Sequence, residues 1–166
     1  IRPPLVYGPR EENFFTFIKL IRNGWELQIG RAGKELSLIY VSDLVEAMLA
    51  ASDPTKQKGR SYFVTDGHVY VWEQIAKECA RIMNIHVKTL KIPEAMLVPV
   101  ALFFEAWSSF SSTPALFDRQ RMIDIRQSSW SASPENFFKE FDFTPQYELS
   151  RGLAETVSWC QKEKWL

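Results

Sequence analysis

The sequence predicts a mixed α/β domain, helical for most of its length. Short stretches of alternating apolar and polar residues, such as Trp25 to Ile29 and His86 to Ile92, take turns with stretches of helical spacing. The 166 residues are 46% hydrophobic and 14% aromatic, enough to bury a core as one domain spanning 1–166. The chain opens on the apolar run Ile1-Arg2-Pro3-Pro4-Leu5-Val6, which leads into Tyr7-Gly8-Pro9-Arg10. That pattern reads as a buried strand leaving into a stiff loop, since Pro fixes φ and Gly permits positive φ. A core strand at the very start has few neighbours to pair with, so the chain is expected to be the later part of a longer protein.

From Glu11 to Asn23 the apolar residues Phe14, Phe17, Ile18 and Ile21 recur at helical spacing, and Gly24 supplies a stop. Trp25 to Ile29 reads as a half-buried strand, Gly30 to Lys34 as a turn, and Leu36 to Val41 as a second strand. Ser42 or Asp43 is expected to cap a helix whose buried stripe is Leu44, Val45, Met48 and Leu49, with the Asp43 carboxylate accepting from N–H groups two or three residues on. A polar loop from Asp53 to Gly59 precedes a strand at Ser61 to Thr65, and Asp66-Gly67 turns the chain into a helix over Trp72 to Met83. One face of that helix carries Trp72, Ile75, Ala76, Cys79 and Ile82. After the alternating His86 to Ile92, Pro93 opens a strongly apolar helix that reaches about Phe110. A further helix is expected at about Ala115 to Arg126, then an extended piece at Trp130, a helix from Glu135 to Glu140 after Pro134, and a last one marked by Leu149, Leu153, Val157 and Cys160.

Charge excludes some functions. Twenty basic and twenty acidic side chains cancel, with no basic surplus for nucleic acid. Cys79 and Cys160 lie far apart, each on the apolar side of a helix, and read as reduced buried thiols of a cytoplasmic protein. Two histidines and no Cys-x-x-Cys argue against a metal site. The apolar stretch from Ala95 to Phe104 contains Pro99 and ends at Glu105, short of the roughly 20 residues a membrane span needs. With Trp107 and Phe110 following, the helix over 93–110 reads as buried, as a lid over a substrate, or as a homodimer contact.

Three stretches in register resemble one family: Arg2-Pro3-x-x-Val6-Tyr7-Gly8-Pro9-Arg10; Leu38-Ile39-Tyr40-Val41-Ser42-Asp43-Leu44-Val45-Glu46-Ala47; and Phe141 to Pro145 followed by Leu149-x-x-Gly152-Leu153-x-x-Thr156-Val157-x-Trp159. Their order resembles the C-terminal half of the extended short-chain dehydrogenase/reductases, the NAD-dependent epimerase/dehydratase family. Tyr62-Phe63-Val64-Thr65-Asp66-Gly67 and the Trp that opens the next helix are most similar to the branch of 3β-hydroxysteroid dehydrogenases and dihydroflavonol reductases. The resemblance implies a helix-rich, substrate-binding α/β subdomain of an extended Rossmann-type enzyme with the dinucleotide-binding half absent. Residues 1–10 would be the last strand and loop of that half.

The same resemblance implies an NAD- or NADP-dependent epimerase, dehydratase or reductase acting on a small-molecule carbinol or carbonyl, with this chain shaping the pocket. The catalytic Tyr-x-x-x-Lys is missing: Tyr7, Tyr40, Tyr62, Tyr70 and Tyr147 are followed four residues on by Glu11, Leu44, Asp66, Gln74 and Arg151. Gly30-x-x-Gly33 sits between strands and reads as a hairpin turn, because a phosphate cradle needs a helix N-terminus after it. No catalytic residue is therefore expected here, and the chain alone is expected to be inactive and to hold no cofactor tightly. By motif match, Pro3, Leu5 and Val6 are expected to form a flat apolar wall beside the nicotinamide. Substrate contacts are expected from Tyr7, Arg10, Leu36 and Arg126. Leu36 stands where nucleotide-sugar enzymes of the family often carry a diphosphate-pairing Arg, which leans the reading toward a less charged substrate. A non-catalytic module that senses a nucleotide or holds a partner is the alternative.

Overall fold

The computed structural model describes residues 1–56, 59–93, 95 and 129–166. The helices expected at 93–110 and 115–126, and with them Arg126, lie outside the described residues. The chain runs β1 (Leu5–Tyr7), α1 (Glu12–Arg22), β2 (Trp25–Ile29), β3 (Glu35–Leu36), β4 (Leu38–Tyr40) and α2 (Val41–Ala51). It continues with β5 (Tyr70–Val71), α3 (Trp72–Met83), β6 (Lys88–Ile92), β7 (Ser129–Trp130), α4 (Glu135–Phe141) and α5 (Leu149–Lys162).

The strands form three small sheets. β1 pairs parallel to β4, in the register Leu5 to Leu38, Val6 to Ile39 and Tyr7 to Tyr40. β2 pairs parallel to β6 over five residues. β3 lies between antiparallel β5 and parallel β7, which sets Leu36 opposite both Tyr70 and Trp130. The expected single strand over 36–41 is thus split at Ser37. Its N–H donates to the Trp130 carbonyl, so each side of the break joins a different sheet.

Both faces of the β1–β4 pair are covered, as a parallel pair requires. Tyr7, Leu38 and Tyr40 face a core shared with Phe14, Ile18 and Ile21 of α1, Ile75 and Cys79 of α3, and Leu153 and Val157 of α5. On the opposite face Ile39 meets Leu44, Ala47, Val64, Phe137 and Phe141, with Val6 packed against them. Period-two alternation along β1 and β4 deals their residues to the two cores in turn.

The helix boundaries follow local chemistry. The Glu11 carboxylate accepts the Phe14 N–H at the start of α1. Val71 N–H donates to Gln74 Oε1 at 3.0 Å where α3 begins. α3 ends on Asn84 and α4 on Asp142, each with left-handed φ near 50° (54° and 52°). Gly8, at φ +147°, lies so close to Val41 that a Cβ would stand 2.6 Å from Cγ1 of that side chain.

Five expectations need correction. α2 starts at Val41, and neither Ser42 nor Asp43 caps it. Asp43 reaches across instead, accepting the N–H groups of Gln146 and Tyr147 at 3.0 Å each and tying α2 to the approach of α5. That bond turns the helix so that Asp43, Leu44 and Ala47 are buried while Val45, Met48 and Leu49 are 49%, 53% and 61% exposed. The strand expected at 61–65 shrinks to one parallel bridge between Phe63 and Arg2, because its other backbone groups face no partner strand. In β2 the alternation is inverted: Trp25 and Leu27 are exposed, and the polar Glu26 is buried. Trp72 leaves the core stripe of α3 and is 38% exposed.

Cys79 and Cys160 are free and buried, and desolvation pushes the Cys79 thiol up to about 12. α3 and α5 are further joined through Glu78, which accepts from Arg81 Nε at 2.9 Å and from the Ser150 hydroxyl. These bonds, Arg81 first, lower the Glu78 carboxyl from its ordinary 4.5 to about 2.

A carboxylate held this way stabilises the fold above its unfolded pKa and loses that contribution as pH falls toward the folded value. Urea titrations between pH 5 and pH 2 should therefore show wild type losing about 1 kcal/mol of its advantage over Glu78→Gln. Gly152 of α5 lies against the Tyr7 ring, where a Cβ would come within 2.9 Å of ring carbons. Gly152→Ala should cost about 1–3 kcal/mol in chemical denaturation. The Tyr7 hydroxyl is buried without a partner among the described residues, so Tyr7→Phe should leave stability level or slightly raised.

Candidate functional site

A cavity of about 400 Å³ opens where the three-stranded sheet meets α1, β2 and α3. Leu5, Leu36 and Ala76 line it from the sheet and α3. Phe17, Trp72 and Trp130 supply aromatic walls, with the Phe17 and Trp72 rings 5.4 Å apart. The wall is mainly apolar. Its polar members are Glu26 and Gln28 of β2, Arg31 and Lys34 of the β2–β3 turn, and Glu35, Ser37 and Glu73.

The placement of each side chain follows from the local chain. Leu36 is only 4% exposed, pinned at the centre of its sheet between β5 and β7. Trp130 is held beside it by Ser37, a fully buried residue whose Oγ accepts the Ala132 N–H at 3.2 Å and donates to the Ala132 carbonyl at 3.4 Å. Trp72 and Glu73 sit in the first turn of α3, and Glu73 Oε1 accepts the Gly33 N–H at 3.2 Å, fixing the turn over the cavity. Glu26 is 7% exposed and accepts the Thr89 hydroxyl at 2.9 Å from the neighbouring strand.

The residues singled out from sequence part company here. Leu5 and Leu36 line the cavity together. Pro3 is exposed and Val6 packs into the core on the α2 side, so of the run before Tyr7 only Leu5 reaches the cavity. Tyr7 does not line it. Period two puts its ring on the same face as Leu5, but α5 covers that position and seals it against Phe14, Tyr40 and Gly152. Desolvation raises the Tyr7 phenol far above its usual value. Arg10 takes φ +71° in an exposed turn away from the cavity.

Sequence reasoning passed over Glu26, Ser37, Glu73, Trp72 and Trp130 as cavity residues. The inverted alternation of β2 was the one signal available for Glu26. A second polar cluster lies in the interior: Asp66 accepts the His68 N–H at 3.0 Å and the Tyr70 hydroxyl at 2.8 Å, and burial raises both its carboxyl and the Tyr70 phenol. It braces the turn before β5. Among the described residues, no group of three or more His, Cys, Asp or Glu is placed to hold a metal ion, and no helix is long and apolar enough to cross a membrane.

No protein-family model matches the chain. It is 24% identical over 169 residues to the ceramide reductase of Caulobacter vibrioides, across the whole of this chain and 52% of that protein. To the UDP-glucose 4-epimerase of Vibrio cholerae it is 28% identical over 95 residues, 56% of this chain and 29% of that one. Among solved structures, the UDP-glucuronic acid 4-epimerase of Bacillus cereus, in complex with UDP-glucuronic acid and NAD, superposes on 98% of the chain with a TM-score of 0.70 at 16% identity. The dTDP-glucose 4,6-dehydratase of Bacillus anthracis, in complex with NAD, does so over 99% with a TM-score of 0.68, also at 16% identity. The fold is that of the extended short-chain dehydrogenase/reductases. The chain spans about half the length of the ceramide reductase and 44–45% of the two structures.

Because the Ser37 hydroxyl bonds both backbone groups of Ala132, two residues beyond Trp130, Ser37→Ala should cost about 1–2 kcal/mol. It should also red-shift the tryptophan emission as the Trp130 wall loosens, which fluorescence during a urea titration would record.

Proposed function

We propose that this chain is the substrate-binding half of an NAD(P)-dependent enzyme of the extended short-chain dehydrogenase/reductase type, acting on an apolar alcohol or ketone. The observation that carries this reading is the cavity: about 400 Å³, walled by Leu5, Leu36, Phe17, Trp72 and Trp130. Such a volume buries a body of drug-like size through the hydrophobic effect, with a few polar groups left to orient it. Leu36 occupies the wall at the point where a diphosphate would need a cation. The likeness to a ceramide reductase along the entire chain supports an apolar substrate as well.

The described residues fit one side of a nicotinamide and not the rest of a dinucleotide. Leu5 offers an apolar cavity wall, with Pro3 beside it to stiffen the backbone. The Gly30 and Gly33 turn, with φ of 72° and 76°, links two strands and presents no helix N-terminus to a pyrophosphate. When bound in the whole protein, the cofactor would supply the hydride. This chain's residues bind the substrate, exclude water from it and orient its carbonyl or carbinol.

Thermal-shift titration tests the reading. A medium-chain ketone such as 2-undecanone should raise the melting temperature by several degrees at saturation, and UDP-glucose should leave it within a degree. NADH alone should show no stoichiometric binding by calorimetry. The reverse ligand order would refute the apolar assignment.

A further inference from the structure

Three carboxylates are buried among the described residues: Asp43, Asp66 and Glu26. Both oxygens of Asp43 accept a backbone N–H, and both oxygens of Asp66 accept a donor. Glu26 differs. Oε2 accepts the Thr89 hydroxyl at 2.9 Å, and Oε1 has no partner among the described residues although the side chain stands on the cavity wall. Across the cavity Glu73 repeats the pattern: Oε1 accepts the Gly33 N–H, and Oε2 is buried with no partner among the described residues. A buried acceptor left unmade costs about 1–3 kcal/mol, more for a charged group, so Glu73 Oε2 on an apolar cavity calls for a donor from a ligand, and Glu26 Oε1 on the same wall can accept a second.

We propose that Glu26 and Glu73 are specificity-determining acceptors for a neutral polar head that carries N–H or O–H donors on an aliphatic body filling the cavity. The inference rests on the apolar-substrate reading above and adds the chemistry of the head. The lining carries Glu26, Glu35 and Glu73 against Arg31 and Lys34, one more acid than base, so an anionic head meets a net like charge. An amide N–H or a hydroxyl can donate to either carboxylate without burying a second charge. The aromatic walls of Phe17, Trp72 and Trp130 hold the aliphatic body while the head is read.

The test uses three eight-carbon amphiphiles and tryptophan fluorescence, since Trp72 and Trp130 line the site. N-(2-hydroxyethyl)octanamide carries two donors, 2-methoxyethyl octanoate is its donor-free counterpart, and octyl phosphate is the anion. The amide should bind at least about 10-fold tighter than the ester, as expected for charge-assisted hydrogen bonds. Glu26→Leu should cut that preference to within about 3-fold by weakening the amide, with ester affinity equal or improved. Glu26→Gln, which keeps shape and an acceptor but no charge, should cut it partway and covers the case in which Glu26→Leu does not fold. Glu73→Gln should act in the same direction.

Equal binding of amide and ester to wild type, or a preference untouched by Glu26→Gln, overturns the proposal and leaves the apolar cavity reading intact. Tightest binding by octyl phosphate overturns it in favour of an anion held by Arg31 and Lys34. Failure of all three to bind overturns both this proposal and the apolar-substrate reading.

Discussion

Three consecutive residue pairs, Leu5 to Tyr7 against Leu38 to Tyr40, hold the molecule's two cores back to back. A parallel pair this short has little stability of its own and persists only because apolar residues cover both faces. Tyr7 and Leu38 commit one face to α1, α3 and α5, and Ile39 commits the other to α2 and α4. The close approach of Gly152 to the Tyr7 ring and of Gly8 to Val41 shows how tightly the helices seat on this pair. Part of the cavity wall is hung from it: β3 with Leu36 runs directly into β4 through Ser37, and Leu5 is the first residue of β1.

The cavity is an exception to the rule that governs the cores. Away from it, the buried carboxylates of Asp43 and Asp66 each accept hydrogen bonds on both oxygens. In the cavity, β2 reverses its alternation, burying Glu26 and leaving Trp25 and Leu27 outside. A sheet strand that buries its acid and exposes its tryptophan departs from the pattern that folding alone would favour, and such departures concentrate where a protein meets a ligand.

Much of the fold was legible in the sequence because its signals were local. Helical spacing of Phe14, Phe17, Ile18 and Ile21 located α1 within a residue or so, and the alternation at Trp25 to Ile29 located β2. The Pro134 signal located α4, and the 149, 153, 157, 160 stripe located α5. What failed was non-local. No nearby residue announces that the Asp43 carboxylate bonds to Gln146 and Tyr147, more than a hundred positions away, and so of the stripe expected on α2 only Leu44 is buried while Val45, Met48 and Leu49 are exposed. The two-residue strands β3, β5 and β7 have no period to read. For the site, Leu5 and Leu36 came from motif order. Tyr7 was misplaced because its motif gives a position along the strand but not what α5 lays over it.

The cavity draws its walls from Leu5, Phe17, Leu36, Trp72 and Trp130, a span that covers most of the chain. The stretch from Glu26 to Ser37 supplies more than half of the lining, but the aromatic walls Phe17, Trp72 and Trp130 come from far along the chain on either side, so the binding surface exists only once distant segments have met. Occupancy and folding are then one linked equilibrium: a molecule that settles between the two tryptophans acts on the whole domain, and its affinity is felt as resistance to unfolding everywhere in the chain.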